Sequence, residues 1–249
     1  MRVAKGNVSE VFGSFQGEGP HVGERHIFVR LCSCNLSCLY CDTSYAHEKS
    51  PFARIEAGPG GRVRKLPNPI SVETALEAVK AQEVFPGFNS TLCVTGGEPL
   101  MQPAFVGALL DSLDGRFRVM LETNGTLTRA FNTVKQHIDI VSMDIKLPSS
   151  SRQGALWKKH AGFLAACADK EVVVKVVVAG DTPVAEVAKA ARLVSDTMPG
   201  ACFIIQPVSA TGKGRAVPGD MLLEYYTEAR GVLENVRVIP QTHKLMGVR

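Results

Sequence analysis

The sequence of 249 residues contains no uninterrupted apolar stretch near the ~18 residues of a membrane-spanning helix. Its longest apolar segment, Val172 to Ala179, is broken by Lys175, and Met1 to Glu10 carries no apolar signal core. No membrane association and a cytoplasmic location are expected. Charge of one sign is not concentrated either: Lys plus Arg number 28 against 24 Asp plus Glu, a balance of +4. That is too mild for the basic stripe of a nucleic-acid binder. The one basic cluster, Arg62 to Lys65, adjoins Gly58-Pro59-Gly60-Gly61 and reads as a solvated loop. Internal repeats and interior linkers are absent, so a single domain over 1–249 is expected. The 7 cysteines do not form a dispersed disulfide framework. Cys32, Cys34, Cys38 and Cys41 are crowded together, which suits a metal in a reducing compartment.

That crowd is the most informative feature present. Cys34, Cys38 and Cys41 stand at the spacing C-x3-C-x2-C. Three thiolates on one short loop hold three irons of a 4Fe-4S cube and leave the fourth iron open to a substrate or cofactor. The competing reading is a structural zinc with Cys32 as fourth sulfur, although such sites usually take two separated pairs. Cys32 by default is a small buried thiol at a strand end. Cys93, Cys167 and Cys202 are scattered, form no second cluster motif and read as core thiols.

Short β-branched runs alternate with helix-length amphipathic segments, the pattern of an α/β protein with parallel strands. Strands are predicted at His26 to Leu31, Thr91 to Val94, Arg118 to Leu121, Ile138 to Ser142, Val172 to Val178, Cys202 to Ile205 and Val236 to Ile239. Helices are predicted at Ser71 to Glu83, Pro103 to Leu113, Leu127 to His137, Arg152 to Ala168, Pro183 to Ser195 and Gly219 to Leu233. Ser71 is the expected cap of the first, and Thr182-Pro183 a cap followed by proline at the first helical position. Periodicity does not choose between an open doubly wound sheet and a full or partial barrel. The stretch 44–69, rich in Pro, Gly and charge, reads as an insertion loop after the cysteines, and such a loop could cover one side of a pocket.

Four successive strands end in polar groups: Thr95-Gly96-Gly97-Glu98, Glu122-Thr123-Asn124-Gly125, Ser142-Met143-Asp144-Ile145-Lys146 and Gln206-Pro207. Each alone reads as a cap or turn, but their recurrence at strand ends points to one shared site. With Tyr40 before Cys41 and Gly96-Gly97-Glu98-Pro99, the cysteine loop resembles that of the radical S-adenosylmethionine (SAM) superfamily. The resemblance implies an α/β fold: a partial (β/α) barrel of about six parallel strands, with N-terminal and post-cluster extensions. It also implies a 4Fe-4S cluster on Cys34, Cys38 and Cys41, whose electron cleaves SAM to a 5′-deoxyadenosyl radical. SAM contacts are implied at Tyr40, Cys41, Asp42, Gly96, Gly97, Glu98 and Gln206, and at any of Ser142, Asp144 and Lys146, where this chain is longer than the Ser-Pro-Lys turn of many relatives.

The segments Glu10 to Gly19, Phe28-Val29-Arg30, Cys41-Asp42-Thr43 and Pro240-Gln241-Thr242-His243-Lys244 carry a narrower likeness, to the 7-carboxy-7-deazaguanine synthase family. That resemblance implies a lyase that contracts 6-carboxy-5,6,7,8-tetrahydropterin to 7-carboxy-7-deazaguanine with loss of ammonia, on the route to queuosine, without touching nucleic acid itself. It implies Mg2+ at Thr43 and the pterin at Phe15, Gln16, Gly17, Arg30, Thr95 and His243. Arg30 suits the substrate carboxylate because its planar fork matches that group. The family also implies a homodimer and an electron donor such as flavodoxin or ferredoxin. A glycyl-radical activase would share the cysteine loop but leave the Gln16-Gly17 and Gln241 to Lys244 matches coincidental. A zinc-stabilised binding module is the alternative of another class.

Overall fold

A computed structural model describes residues 4–85, 90–209 and 216–249. Among these residues the twelve strands are β1 (Lys5–Gly6), β2 (Val8–Phe15), β3 (Arg25–Leu31), β4 (Phe52–Glu56), β5 (Val63–Pro67), β6 (Ile70–Ser71), β7 (Thr91–Gly96), β8 (Arg118–Thr123), β9 (Ile140–Ile145), β10 (Glu171–Val178), β11 (Cys202–Pro207) and β12 (Val236–Val238). Apart from the small β1–β6 pair, they form one 10-stranded open sheet in the order β12-β11-β10-β9-β8-β7-β3-β2-β4-β5. From β3 through β12 every neighbouring pair in that sheet is parallel. Helical crossovers cover the outer face and bury it in the main core. The sheet is left open rather than closed into a full barrel.

The helices are α1 (Val72–Ala81), α2 (Pro103–Asp111), α3 (Thr128–Phe131), α4 (Pro148–Ser151), α5 (Trp157–Ala166), α6 (Val184–Thr197), α7 (Gly219–Arg230) and α8 (Thr242–Met246). Ser71 caps α1 as expected, its hydroxyl accepting from Thr74 N at 3.2 Å. One predicted helix is divided and another is shortened. Leu127 to His137 is the short α3 followed by a 3-10 turn at Lys135–His137. Arg152 to Ala168 loses its first residues, because Arg152 takes a left-handed conformation (φ 58°) that ends the preceding α4, and α5 starts only at Trp157. The expected cap is displaced by one residue: Pro183 occupies the N-cap of α6, and Thr182 stands just before it, its hydroxyl accepting from Ala179 N at 2.9 Å.

β2 was not among the predicted strands. Buried Ser9 and Glu10 interrupt its apolar pattern, and its place depends on pairing with β3 on one side and β4 on the other. The stretch 44–69 carries the hairpin β4–β5, which extends the sheet beyond β2 by parallel β2–β4 pairing. Its alternating residues Ala53 and Ile55 are buried, a pattern that the surrounding Pro, Gly and charge obscure in the sequence.

Side chains alternate between two environments. On the outer face Val29, Leu31, Leu92, Val94, Leu121, Val141, Met143, Val174, Val176, Phe203 and Ile205 belong to the main core under the helices. On the inner face a smaller apolar floor is made by Phe12, Phe28, Cys93, Met120 and Ile140. It continues as Val173, Cys202 and Ile204. Two residues further along each strand, the inner positions become polar: Arg30, Thr95, Glu122, Lys175 and Gln206.

Candidate active site

The polar rim of the inner face opens into a cavity of about 760 Å³ at the C-terminal ends of the parallel strands. This is the size of a small-molecule site and the place where such folds put one. The cysteine loop follows β3 and is held by its neighbours through the backbone. Ser33, at φ 78°, donates to Ala46 O at 2.7 Å, and Glu98 N donates to Ser33 O at 2.8 Å. A Cβ on Gly96 (φ +140°) would collide with the Leu31 backbone, and one on Gly97 with the Ser33 carbonyl, so the paired glycines are what let β7 pass under the loop.

Cys34, Cys38 and Cys41 are half-buried free thiols lining the cavity. Leu36 N donates to Cys34 Sγ at 3.4 Å, and Cys41 Sγ lies 3.2 Å from His47 Nε2 and 3.6 Å from Thr43 Oγ1. Burial pushes the Cys34 and Cys38 thiols up, opposed at both by the charge of Lys146. Cys32 is buried, does not line the cavity and matches its expected part as a core thiol. Tyr40 lies beneath Lys146, whose Nζ is 5.4 Å from the ring centroid and 2.9 Å from Asp144 Oδ2.

Two carboxylates organise the floor and rim. Glu122 accepts from Thr95 Oγ1 at 2.7 Å and from Gln16 Nε2 at 3.1 Å, tying β7 and the end of β2 to β8. Glu18 is ion-paired with Lys175 and accepts from Gln241 Nε2 at 2.8 Å and Gln206 Nε2 at 3.3 Å. Burial alone would raise the Glu18 pKa, but the Lys175 charge and hydrogen bond, with that of Gln241, reverse this and hold it at about 2. Gln206 Oε1 is buried and has no hydrogen-bond partner among the described residues, an acceptor left open beside the cavity. The chain's far end closes the ring. Thr242 N donates to Gly17 O at 2.9 Å, Gln241 Nε2 also reaches Asp42 Oδ2 at 2.9 Å, and Lys244 Nζ lies 3.2 Å from the same oxygen. A Cβ on Gly17 would strike His243, so this contact depends on glycine. Glu18, Asp42 and His243 bring one donor atom each within 4.8 Å of one another.

Among the residues singled out from sequence, Phe15, Gln16, Gly17, Arg30, Cys34, Cys38, Tyr40, Cys41, Asp42, Thr43, Thr95, Gly96, Gly97, Asp144, Lys146, Gln206 and His243 all line this cavity. Two do not. Ser142 is buried between Glu122 and Val173 in the register, and Asp144 and Lys146 of the same segment reach the cavity instead. The Glu98 side chain is buried behind the wall, accepting from Thr123 Oγ1 (2.9 Å), Asn124 N (2.8 Å) and Leu100 N (3.0 Å). Burial with only neutral donors pushes its pKa up to about 7. Sequence reasoning placed Glu122 only among the polar strand ends of a shared site and gave no role to Glu18, Lys175, His47, Lys244 or Arg249; all six line the cavity. Lys175 carried a signal: a lysine inside an apolar strand demands a buried partner.

A family model described as "Radical SAM superfamily" matches residues 29–196. The chain is 37% identical over 242 residues to the 7-carboxy-7-deazaguanine synthase of Geobacter sulfurreducens, covering 96% of each. It is 35% identical to the synthase of Methanopyrus kandleri, covering 96% of this chain and 93% of that one. Among solved structures, QueE from Escherichia coli superposes with a TM-score of 0.59 at 19% identity, over 96% of this chain and 95% of that one. A radical SAM methyltransferase from Sphaerobacter thermophilus gives 0.54 at 13% identity, over 93% and 77%, a likeness of fold alone. With cysteine loop, strand-end glycines and chain terminus gathered on one cavity, and with likeness running the whole length, the chain belongs to the radical SAM superfamily and, within it, to the 7-carboxy-7-deazaguanine synthase family.

Proposed function

We propose that this chain is a 7-carboxy-7-deazaguanine synthase, converting 6-carboxy-5,6,7,8-tetrahydropterin to 7-carboxy-7-deazaguanine with release of ammonia. The observation that carries the reading is Gln241, which bonds Glu18 and Asp42 at once. It thereby joins the three motifs that set this family apart, drawn from the start of the chain, the cysteine loop and the C-terminal segment. A glycyl-radical activase leaves that convergence without a purpose.

The cysteines fit the cluster the family implies: three free, half-buried thiols face one cavity, with no second group of thiols near enough to compete among the described residues. When bound there, the cluster with SAM supplies a one-electron reduction and an adenosyl radical. The protein's own residues do the rest. Gly96 and Gly97 present bare backbone beside the loop, where SAM's methionyl group fits. Glu98 acts from behind by fixing the Thr123-Asn124 turn. Tyr40, Cys41 and Asp42 line the SAM side, with Asp144 and Lys146 supplying opposite charges and Gln206 an open acceptor. Ser142 acts through the packing of β9. The pterin edge is read by Phe15, Gln16 and Gly17, with Thr95 held in place by Glu122 and His243 closing over Gly17. Arg30 takes the substrate carboxylate.

Thr43 and the neighbouring Asp42 offer oxygen donors on the cavity wall, the chemistry Mg2+ prefers, and Thr43 is the proposed ligand. An external electron donor of flavodoxin or ferredoxin type is part of the proposal, because Cys93, Cys167 and Cys202 are separate buried thiols that cannot hold a second cluster. A homodimer is carried over from the family and is read by light scattering. No helix among the described residues is long and apolar enough to cross a membrane.

The test is anaerobic reconstitution followed by incubation with reductant, SAM, Mg2+ and the carboxytetrahydropterin. About four irons per chain and formation of the deazaguanine are expected. One zinc and no iron would return the chain to a structural metal module. SAM cleavage without the deazaguanine would refute the substrate.

A further inference from the structure

The bulge in β2 has a consequence for Arg30. Val8 pairs with Leu31, and a regular antiparallel ladder would then set Ser9 opposite Arg30. Instead one extra residue shifts the register, and Glu10 faces Arg30. Glu10 is 3% exposed, so its charge must be compensated inside the protein. Its Oε1 accepts from Arg30 Nε at 2.9 Å and from Tyr45 OH at 2.8 Å, and its Oε2 lies 3.6 Å from Arg249 Nη1. Glu56 holds Arg249 from the other side at 3.1 Å, and both guanidinium groups stand over the Phe12 ring, at 5.7 and 4.7 Å from its centroid.

Only the Nε side of Arg30 is used in this arrangement. Its two terminal nitrogens make no hydrogen bond among the described residues, and the side chain lines the cavity. A guanidinium fixed through Nε and by a ring face presents its remaining N–H fork in one plane, which is what paired hydrogen bonding to a carboxylate requires. We propose that Glu10 is a positioning residue, set opposite Arg30 by the bulge, which aims the arginine's free fork at the carboxylate of the substrate. This rests on the assignment of Arg30 to the substrate carboxylate. Three separate parts of the chain meet at this one side chain: β2, the segment after the cysteines through Tyr45, and the C-terminal segment through Arg249.

The alternative part for a carboxylate beside an arginine is to damp its charge, and the two parts differ in sign. If Glu10 positions, removing it weakens binding of a carboxylated ligand; if it damps, removing it strengthens that binding. The experiment measures, on reconstituted protein with SAM, the affinities for the carboxytetrahydropterin and for tetrahydropterin without the carboxylate. Wild type should favour the carboxylated ligand. Glu10→Ala should cut that preference about 10-fold or more while the affinity for the plain pterin stays the same. Glu10→Gln, which keeps an acceptor at the same reach, should restore most of it. Equal loss of both ligands in Glu10→Ala, an unchanged preference, or a stronger one would overturn the proposal. Should wild type show no preference at all, the assignment of Arg30 fails first, and Glu10 with it.

Discussion

Val174 and Lys175 stand next to each other on β10 and belong to different parts of the molecule. Val174 points outward into the main core. Lys175 points inward and is just as buried at 4% exposed, yet it is ion-paired with Glu18 and lies 3.7 Å from Asp144. The same contrast runs along the sheet at Leu121 and Glu122 and at Ile205 and Gln206. One face is apolar throughout and can be repacked at a cost set by volume. The other couples buried charges in pairs, where removing one member strands its partner. Stability is distributed over the first face and chemistry is concentrated on the second.

The sharpest break in that contrast is at the cysteines. Cys34→Ala should abolish deazaguanine formation and the visible absorbance of the reconstituted cluster, while the melting temperature of the metal-free protein hardly moves. Next comes the neighbouring pair. Lys175→Met should destabilise the fold by about 3–5 kcal/mol, because the half-buried Glu18 carboxylate is left without its counter-charge. Val174→Ala should cost about 1–3 kcal/mol through its cavity, with activity per folded molecule unchanged. Chemical denaturation with activity measured on the folded fraction separates the two. If both variants lose stability and neither loses activity, the division of the faces fails.

Two carboxylates, the half-buried Glu18 and the fully buried Glu98, sharpen the comparison through pH. Glu18, with a lysine as counter-charge, sits at about 2, whereas Glu98, with only neutral donors, sits at about 7; the ordinary value for both is 4.5. The signs are opposite. The depressed Glu18 contributes stability that is present above 4.5 and is lost as pH falls toward about 2. The raised Glu98 carries no penalty below 4.5 and acquires one as pH climbs toward about 7. Glu18→Gln should therefore flatten the acid limb of the stability profile, and Glu98→Gln the fall between pH 4.5 and about 7, both read by urea melts across that range. The smallest effect belongs to neither face: Leu245→Ala, on a side chain 80% exposed, should stay within about 0.5 kcal/mol.

Much of this was legible in the chain. The cysteine spacing, the paired glycines and the run of polar strand ends depend on local sequence, and a βα repeat brings strand ends together without further instruction. The parallel strands were readable because β-branched runs such as Val172 to Val178 have a strong local signal. The hairpin β4–β5 was not, since edge strands among Pro, Gly and charged residues carry little apolar alternation. Nor was β2, whose buried Glu10 makes sense only once Arg30 and Arg249 are beside it.

The sequence by itself determined the cluster motif, the alternation that gives the sheet two unlike faces, and the residues that crowd one cavity. Only the tertiary structure decided which polar group meets which. Glu98 lies three residues before Met101 on the chain yet braces Thr123 and Asn124 from another strand, and Ser142 is passed over in favour of Asp144 and Lys146. Glu18 meets Lys175 and Gln241 across 157 and 223 positions. Pairings of that kind follow from strand register and from the need of every buried charge for a partner, and neither is written in the neighbourhood of the residue itself.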